Sequence, residues 1–335
     1  MRIKSIITMI GLMIFSFSFG QTNPKYDSII NEAVPFIKNR DWLKAAQKYS
    51  EAFITIGNTG FLVDRQNPSM LQERYDLARL WAMSYQPDSA FRQLFLAVQN
   101  IYISDLNFVN YLMIDTCLIS LHNDKSWSEF TETLLTIKKN LDEDMISHLD
   151  VIYNEDQDQN LRFKIENIAA RQGYDCDSVC TLNKIIFTQD SVHLIYVKKI
   201  LDEKGWLGPD KIGIQGNLTL WLVIQHSTLA VQEKYLPMMR EAVNNRNAFA
   251  RHLALLEDRV AIGQGKRQIY GSQLDYDSLN GNVYPLPLID PDNVDKRRSD
   301  VGLDSLQEYL SGYDATWELE AYKKKLPEYE AKQKK

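Results

Sequence analysis

Six hydrogen-bonding side chains crowd the stretch from Trp221 to Gln273: Gln225, His226, Asp258, Arg259, Gln268 and Gln273. Each is set among residues apolar enough to form a core. A buried polar group left unpaired costs about 1–3 kcal/mol, so this density predicts a network, and the network reads either as a polar clasp or as a site. In the catalytic reading His226 is a general acid or base, Asp258 orients its ring, and Arg259 or Gln268 holds an anion. Tyr270 shares a strand face with Gln268 and completes the set. No nucleophile signature accompanies them, neither a G-x-S-x-G elbow nor an H-E-x-x-H pair. Ser227 and Ser272 match by residue type alone.

In the clasp reading His226 closes the apolar helix LTLWLVIQ, where a charged imidazole gains up to about 2 kcal/mol from the helix dipole. Asn217 is the expected N-cap of that helix. Asp258 and Arg259, adjacent on a helix, point about 100° apart and cannot both face one ligand squarely. Gln264 sits among Gly263, Gly265 and Gly271, in either a ligand loop or a turn between helix and hairpin, and glycine usage favours the turn.

Three cysteines are present. Cys176 and Cys180, four apart in DCDSVC, have Cα atoms about 6 Å apart on a helix, within disulfide range. A redox pair is the alternative, while Cys117 reads as a small core residue. A metal site needs further ligands at matching spacing, which are lacking, and no cofactor is expected.

The elements that position these groups are mainly helical. From Asp27 to about Leu141 the pattern gives helical hairpins. Ala33 and Phe36 precede Ala45, Tyr49 and Ala52; Leu77, Ala78 and Trp81 precede Ala90, Leu94 and Ala97. A third pair runs over Phe108–Leu121 and Trp127–Ile137. The small–large–small spacing resembles the tetratricopeptide repeat, with an insertion at Gly57–Pro68, and with Arg74 where the repeat has a large aromatic. Beyond it come a connecting helix over Met145–Gln172, with Asp156, Gln157 and Arg162 as candidate buried polars, and two helices divided at Gln189-Asp190-Ser191, the second stopped by Gly205. The helix around Pro237 is expected to break near Lys234. A β-hairpin pairs Gln268–Asp275 with Val283–Leu288 around an Asn280-Gly281 turn. A further helical stretch, Asp292–Leu310, is interrupted near Gly302. The fold class is thus mainly α, with tetratricopeptide-like helical hairpins over 21–150 and a mainly helical domain over 151–312 carrying one small hairpin at 268–288. A charged tail over 313–335 reads as mostly solvated and able to form a helix.

LDEKGWLGPDKIG, WLVIQHS, QEKYLPMMREAV, ALLEDRVAIGQGKRQIYGSQ and DPDNVDKRR occur in that order. Together, over roughly Asp156 to Tyr309, they resemble a domain family of unknown function found in exported bacterial proteins. The resemblance implies a mainly helical domain with a small hairpin, often preceded by tetratricopeptide-like hairpins, and implies no activity. Two departures stand out. Thr228 takes the place of an acid two residues after the histidine, which removes a local His–Asp pair. Leu207 replaces a proline in the tryptophan loop.

Met1–Gly20 reads as a secretory leader. Arg2 and Lys4 open it, Ile6–Phe17 is apolar, and Ser18 and Gly20 precede cleavage before Gln21. An uncleaved anchor is the alternative, disfavoured because the run is short for a span. The expected location is periplasmic or extracellular, with no membrane span in the mature chain. The formal net charge is −6, and leader removal deepens it by two charges. That argues against a nucleic-acid partner, whose phosphates need clustered Lys and Arg. Two functions remain. One is an exported scaffold binding a peptide or protein segment along its hairpins, and the other a hydrolase centred on His226 acting on an envelope-derived substrate.

Overall fold

A computed structural model describes residues 24–55, 68–99, 111–173, 176–276 and 281–333. The expected leader, residues 57–67 of the insertion, Phe108, Asn280 of the turn and the side chain of Arg162 lie outside the described residues. The described chain is mainly helical, with one small antiparallel sheet. Cα packing divides it into two compact units, residues 22–256 and residues 257–335. The division falls inside a helix, Ala250–Gly263, where the sequence reading places a domain boundary near residue 150.

The first unit begins with α1 (Pro24–Lys38) and α2 (Trp42–Thr55), then α3 (Pro68–Met83) and α4 (Pro87–Gln99). The small residues Ala45, Ala46 and Ala52 let α2 lie close against Tyr26 and Ile29 of α1, and Leu77 and Leu80 of α3 close the same cluster. α3 turns its other side, Tyr75, Ala78 and Ala82, to Ala90, Phe91 and Leu94 of α4. No side chain from Glu73 to Met83 is exposed, because α3 serves two clusters at once. A 3-10 turn (Thr116–Leu121) and α5 (Lys125–Asn140) complete the second cluster with Leu118, Leu121, Phe130 and Leu134.

The expected connecting helix is two, α6 (Glu143–Asp156) and α7 (Gln159–Gln172), because Asp158 stops one and caps the next by accepting from the amides of Asn160 and Leu161. α8 (Asp177–Lys204) is a single helix where two were expected. The Ser191 hydroxyl donates to Phe187 O one turn back, so Gln189-Asp190-Ser191 continues the helix. Gly205, at φ 74°, ends it as expected.

α9 (Pro209–Gln225) is nearly all buried, as its apolar sequence requires. It kinks at Gly213, where φ is 73°. At Gly216 it meets α6: a Cβ there would stand 3.1 Å from the Leu149 side chain. Asn217 is not the N-cap but an interior residue. Its amide donates to Leu207 O at 2.8 Å and Asn247 O at 2.7 Å, pinning the GWLGP loop. α10 (Leu229–Asn244) runs unbroken through Pro237. Pro237 and Glu233 both lie on the exposed side of the helix, where a missing backbone bond is least costly.

α11 (Ala250–Gly263) leads into the second unit. Strands β1 (Leu274–Tyr276) and β2 (Val283–Pro285) pair antiparallel, Asp275 opposite Tyr284. The hairpin is shorter than expected, because Gln268–Gln273 is a loop joined to the partner strand's extension by an isolated bridge at Leu288. α12 (Val294–Asp300) and α13 (Leu306–Ser311) flank the expected break at Gly302. The tail is helical and mostly exposed, and two of its aromatic residues are buried. It forms α14 (Leu319–Gln333), and its Tyr322 and Tyr329 are buried with Tyr284, Leu288 and Leu306.

Candidate functional site

The polar residues singled out in the sequence fall into two constellations, one in each unit. The first is at the end of α9. His226 is the C-cap residue, its own N–H bonded back into the helix. Its Nδ1 lies 2.9 Å from Asp156 Oδ1. The carboxylate only accepts, so Nδ1 carries the proton and Nε2 becomes the ring's basic nitrogen. The Asp156 side chain is 4% exposed and that of His226 22%, a buried carboxylate behind a partly accessible base. Gln157 Nε2 donates to Asp156 Oδ2 at 2.5 Å, holding the acid from the other side. Gln225 Nε2 is 3.5 Å from His226 Nε2.

The C-terminal carbonyls of α9 find a donor in Gln232. Its amide donates to Gln225 O at 2.8 Å and Ser227 O at 2.9 Å. The Ser227 hydroxyl donates to Val223 O, which makes it a helix-end bond and not a poised nucleophile. The residue before Asp156 repeats the theme, since Glu155 Oε2 is 2.7 Å from Nε2 of the buried His193. Successive acids at the end of α6 thus hold histidines from two different helices.

The second constellation surrounds Asp258. Asp258 is not the orienter of His226. Its carboxylate accepts from the backbone amides of Ile269 (2.7 Å), Tyr270 (2.9 Å) and Ser272 (2.9 Å). Burial raises the Asp258 pKa, and the amides of Ser272, Tyr270 and Ile269 offset part of that rise. The loop can wrap the acid because Gly271 takes φ 76°, and a Cβ there would also press on Leu306 at 3.2 Å. Gln268, fully buried, donates to Gln273 O and Leu286 O and accepts from the Gln273 amide.

Arg298 lies over the Tyr309 ring at 5.0 Å and donates to Asp304 O and Tyr270 O. Desolvation lowers its pKa and that of Arg259, and Tyr309 offsets part of both shifts. Tyr309 itself donates to Ser272 O. Tyr270 enters through its backbone, and Gln264 lies exposed in the turn after α11. Asp258, Gln268 and Arg298 thus fasten the loop 268–273, and Gln268 and Arg298 also tie it to Leu286 and Asp304.

Gln232 and Arg298 escape the sequence reading, and the partner of Asp156 does too. Asp156 was a candidate buried polar with no partner assigned, and seventy positions from His226 no local spacing could pair them. Gln232 sits on the buried stripe of α10 with Tyr235, Leu236 and Met239, so helical periodicity could have found it. Arg298 stands in sequence in a short basic run with Lys296 and Arg297, flanked by acids, which carries no sign of its burial. The cysteines are not joined. Cys176 packs against the Ile165–Val179 cluster while Cys180 faces solvent, so their side chains diverge. No group of three or more His, Cys, Asp or Glu suited to a metal occurs among the described residues.

A family model described as a family of unknown function, DUF6624, matches residues 147–322, just over half of the chain. The match contains both constellations. No curated protein and no solved structure matches the chain.

Proposed function

The chain belongs to the DUF6624 family of unknown function, and from that premise we propose that it is an exported interaction protein binding a protein or peptide segment. One observation carries the reading: large apolar side chains on α7 and α8 stand in water, Phe163 at 71%, Phe187 at 74% and Ile195 at 72% exposure. Exposed apolar groups gathered on one part of a surface mark contact sites. The N-terminal hairpins pack into two clusters and also expose Ile54 and Tyr85; α8 alone exposes Ile185, Phe187, Val192 and Ile195, and on that concentration the reading places the contact on α7 and α8 instead of the hairpin groove. The leader pattern of Met1–Gly20 supports export to the periplasm or beyond. No described helix is long and apolar enough to cross a membrane.

Panning the purified chain against a random peptide library tests the proposal. Enriched peptides should carry apolar residues and lose about tenfold or more in affinity against a Phe187→Asp/Ile195→Asp variant. Peptides indifferent to that variant, or no enrichment, would refute it.

The His226–Asp156 pair supports a second reading, a hydrolase in which His226 takes or gives a proton at Nε2. Against it, grooves of about 460 and 360 Å³ are lined by other residues. A fluorogenic ester panel decides. Under this reading hydrolysis falls at least about 100-fold in His226→Gln, while equal rates in variant and parent leave the pair as a clasp. As a clasp alone, His226→Gln costs about 1–2 kcal/mol in urea unfolding.

A further inference from the structure

The helix α14 is fastened unevenly along its length. Near its start the Tyr322 hydroxyl donates to Leu286 O at 3.0 Å and accepts from the Leu288 amide at 2.9 Å. One hydroxyl thus serves two main-chain groups of the strand extension, groups that are costly to leave buried and unpaired. The loop before it is also fixed, since the Trp317 amide donates to Gln307 Oε1 at 2.8 Å. Tyr322 is the anchor of the helix.

Beyond Tyr322 the hold is different in kind. Tyr329 stacks on Tyr284 with ring planes 10° apart, and Leu326 is half-buried in the same cluster. Glu330 pairs with Arg267 at 2.6 Å and Lys323 with Asp292, all four side chains partly exposed. Such pairs add little stability and are screened by salt. The Gln333 amide reaches Lys266 O at 3.1 Å, and Lys332 Nζ stands 5.8 Å from the Tyr284 ring. Pro327 has no N–H to give to Lys323 O, so a helical bond is missing just past the anchor. Residues 323–333 are also fewer than the about 12–15 that a helix needs to stand alone in water. The order of this arm therefore depends on the Tyr329 stack and its polar satellites.

We propose that residues 323–333 form a releasable strap, hinged between Tyr322 and Pro327, which lifts off Tyr284 while the rest of the C-terminal unit stays folded. Tyr284 is 7% exposed beneath it. It keeps its place without the strap, because its hydroxyl donates to Asp275 Oδ2 at 3.2 Å and its strand pairs with β1. Release turns a covered, preset aromatic face to solvent. This gated surface is independent of the contact proposed on α7 and α8.

Native-state hydrogen exchange on the full chain tests the strap. The amides of 329–333 should exchange at least about 100-fold faster than those of 269, 270 and 272, and with little dependence on low urea. Tyr329→Ser should speed the arm a further tenfold or so, at least about that much, while 269, 270, 272 and Leu288 keep their protection. Arm amides that exchange only with 269, 270 and 272, at the same rate and urea dependence, overturn the inference, because α14 then opens only with its unit. Equal loss of protection at 269, 270 and 272 in Tyr329→Ser overturns it for the same reason. Indifference of the arm to Tyr329→Ser overturns it too, leaving ordinary fraying of a helix end. Loss of Leu288 protection together with the arm would move the opening past Tyr322 and refute the hinge.

Discussion

Asp258→Ala is expected to destabilise the C-terminal unit by about 3 kcal/mol or more. The reason is an accounting of donors. Asp258 is fully buried and accepts from three backbone amides, those of Ile269, Tyr270 and Ser272. Alanine leaves all three facing an apolar hole, and each orphaned donor costs about 1–3 kcal/mol before the loop relaxes. Relaxation is limited because Gln268 fastens both ends of the same loop, and Arg298 and Tyr309 hold the carbonyls of Tyr270 and Ser272. Asp258→Asn preserves shape but turns two N–H groups toward donors, so an intermediate loss is expected. Urea unfolding gives the magnitude. Hydrogen exchange at residues 269, 270 and 272 gives the location, since these amides should lose protection beyond the global change. A loss under about 1 kcal/mol, with those amides still protected, would show that the loop is held without the carboxylate.

This loop also shows where sequence stops being informative. The polar types were legible, because Asp258 and Gln268 interrupt apolar patterns and demand partners. Their partners were not, since the acid bonds main-chain amides, which every residue supplies. The alternating pattern of Gln268–Gln273 reads as strand, yet Asp258 takes the amides a strand would have used. Helix content and several stops, such as Gly205 and the break at Gly302, followed from periodicity and glycine. Ser191 misled because a serine that bonds back to Phe187 O looks in sequence like a cap. The tail's mostly exposed, helical character was legible but its two anchors were not: Tyr322 and Tyr329 are aromatics in a lysine-rich segment, and their burial depends on Tyr284 being in place to stack on Tyr329, ring centroids 4.0 Å apart. His226 was rightly placed at the helix end, but the absent acid at Thr228 hid the one supplied by α6. Local rules found elements, and long-range polar pairing needed coordinates.

The same limit applies to His252, a helical position of α11 that should give the first unit a marked acid sensitivity. Its ring stacks on Trp221 at 4.5 Å and meets Phe249 edge-on at 5.4 Å. Desolvation there, with a smaller contribution from the Arg251 charge, lowers its pKa to about 3. An unfolded chain restores the ordinary value near 6.5, so between those two values the unfolded state binds a proton that the folded state refuses. Stability is therefore complete above pH 6.5 and falls as the pH drops, by up to about 1.4 kcal/mol per unit. Between pH 6.5 and 4.5 the expected loss is about 2–3 kcal/mol. Carboxylates held below their usual range by partners, such as Asp202 with Lys234 and Tyr235, act in the opposite direction of charge. Their stabilisation is present above pH 4 and disappears below it, so the two effects occupy different windows. His252→Phe keeps the stack on Trp221 and removes the titrating group. Urea unfolding of parent and variant at pH 7.0, 5.5 and 4.5 should show the curves converging, with the parent losing about 2 kcal/mol more than the variant. Parallel curves would mean that water reaches the imidazole and that it titrates normally in the folded chain.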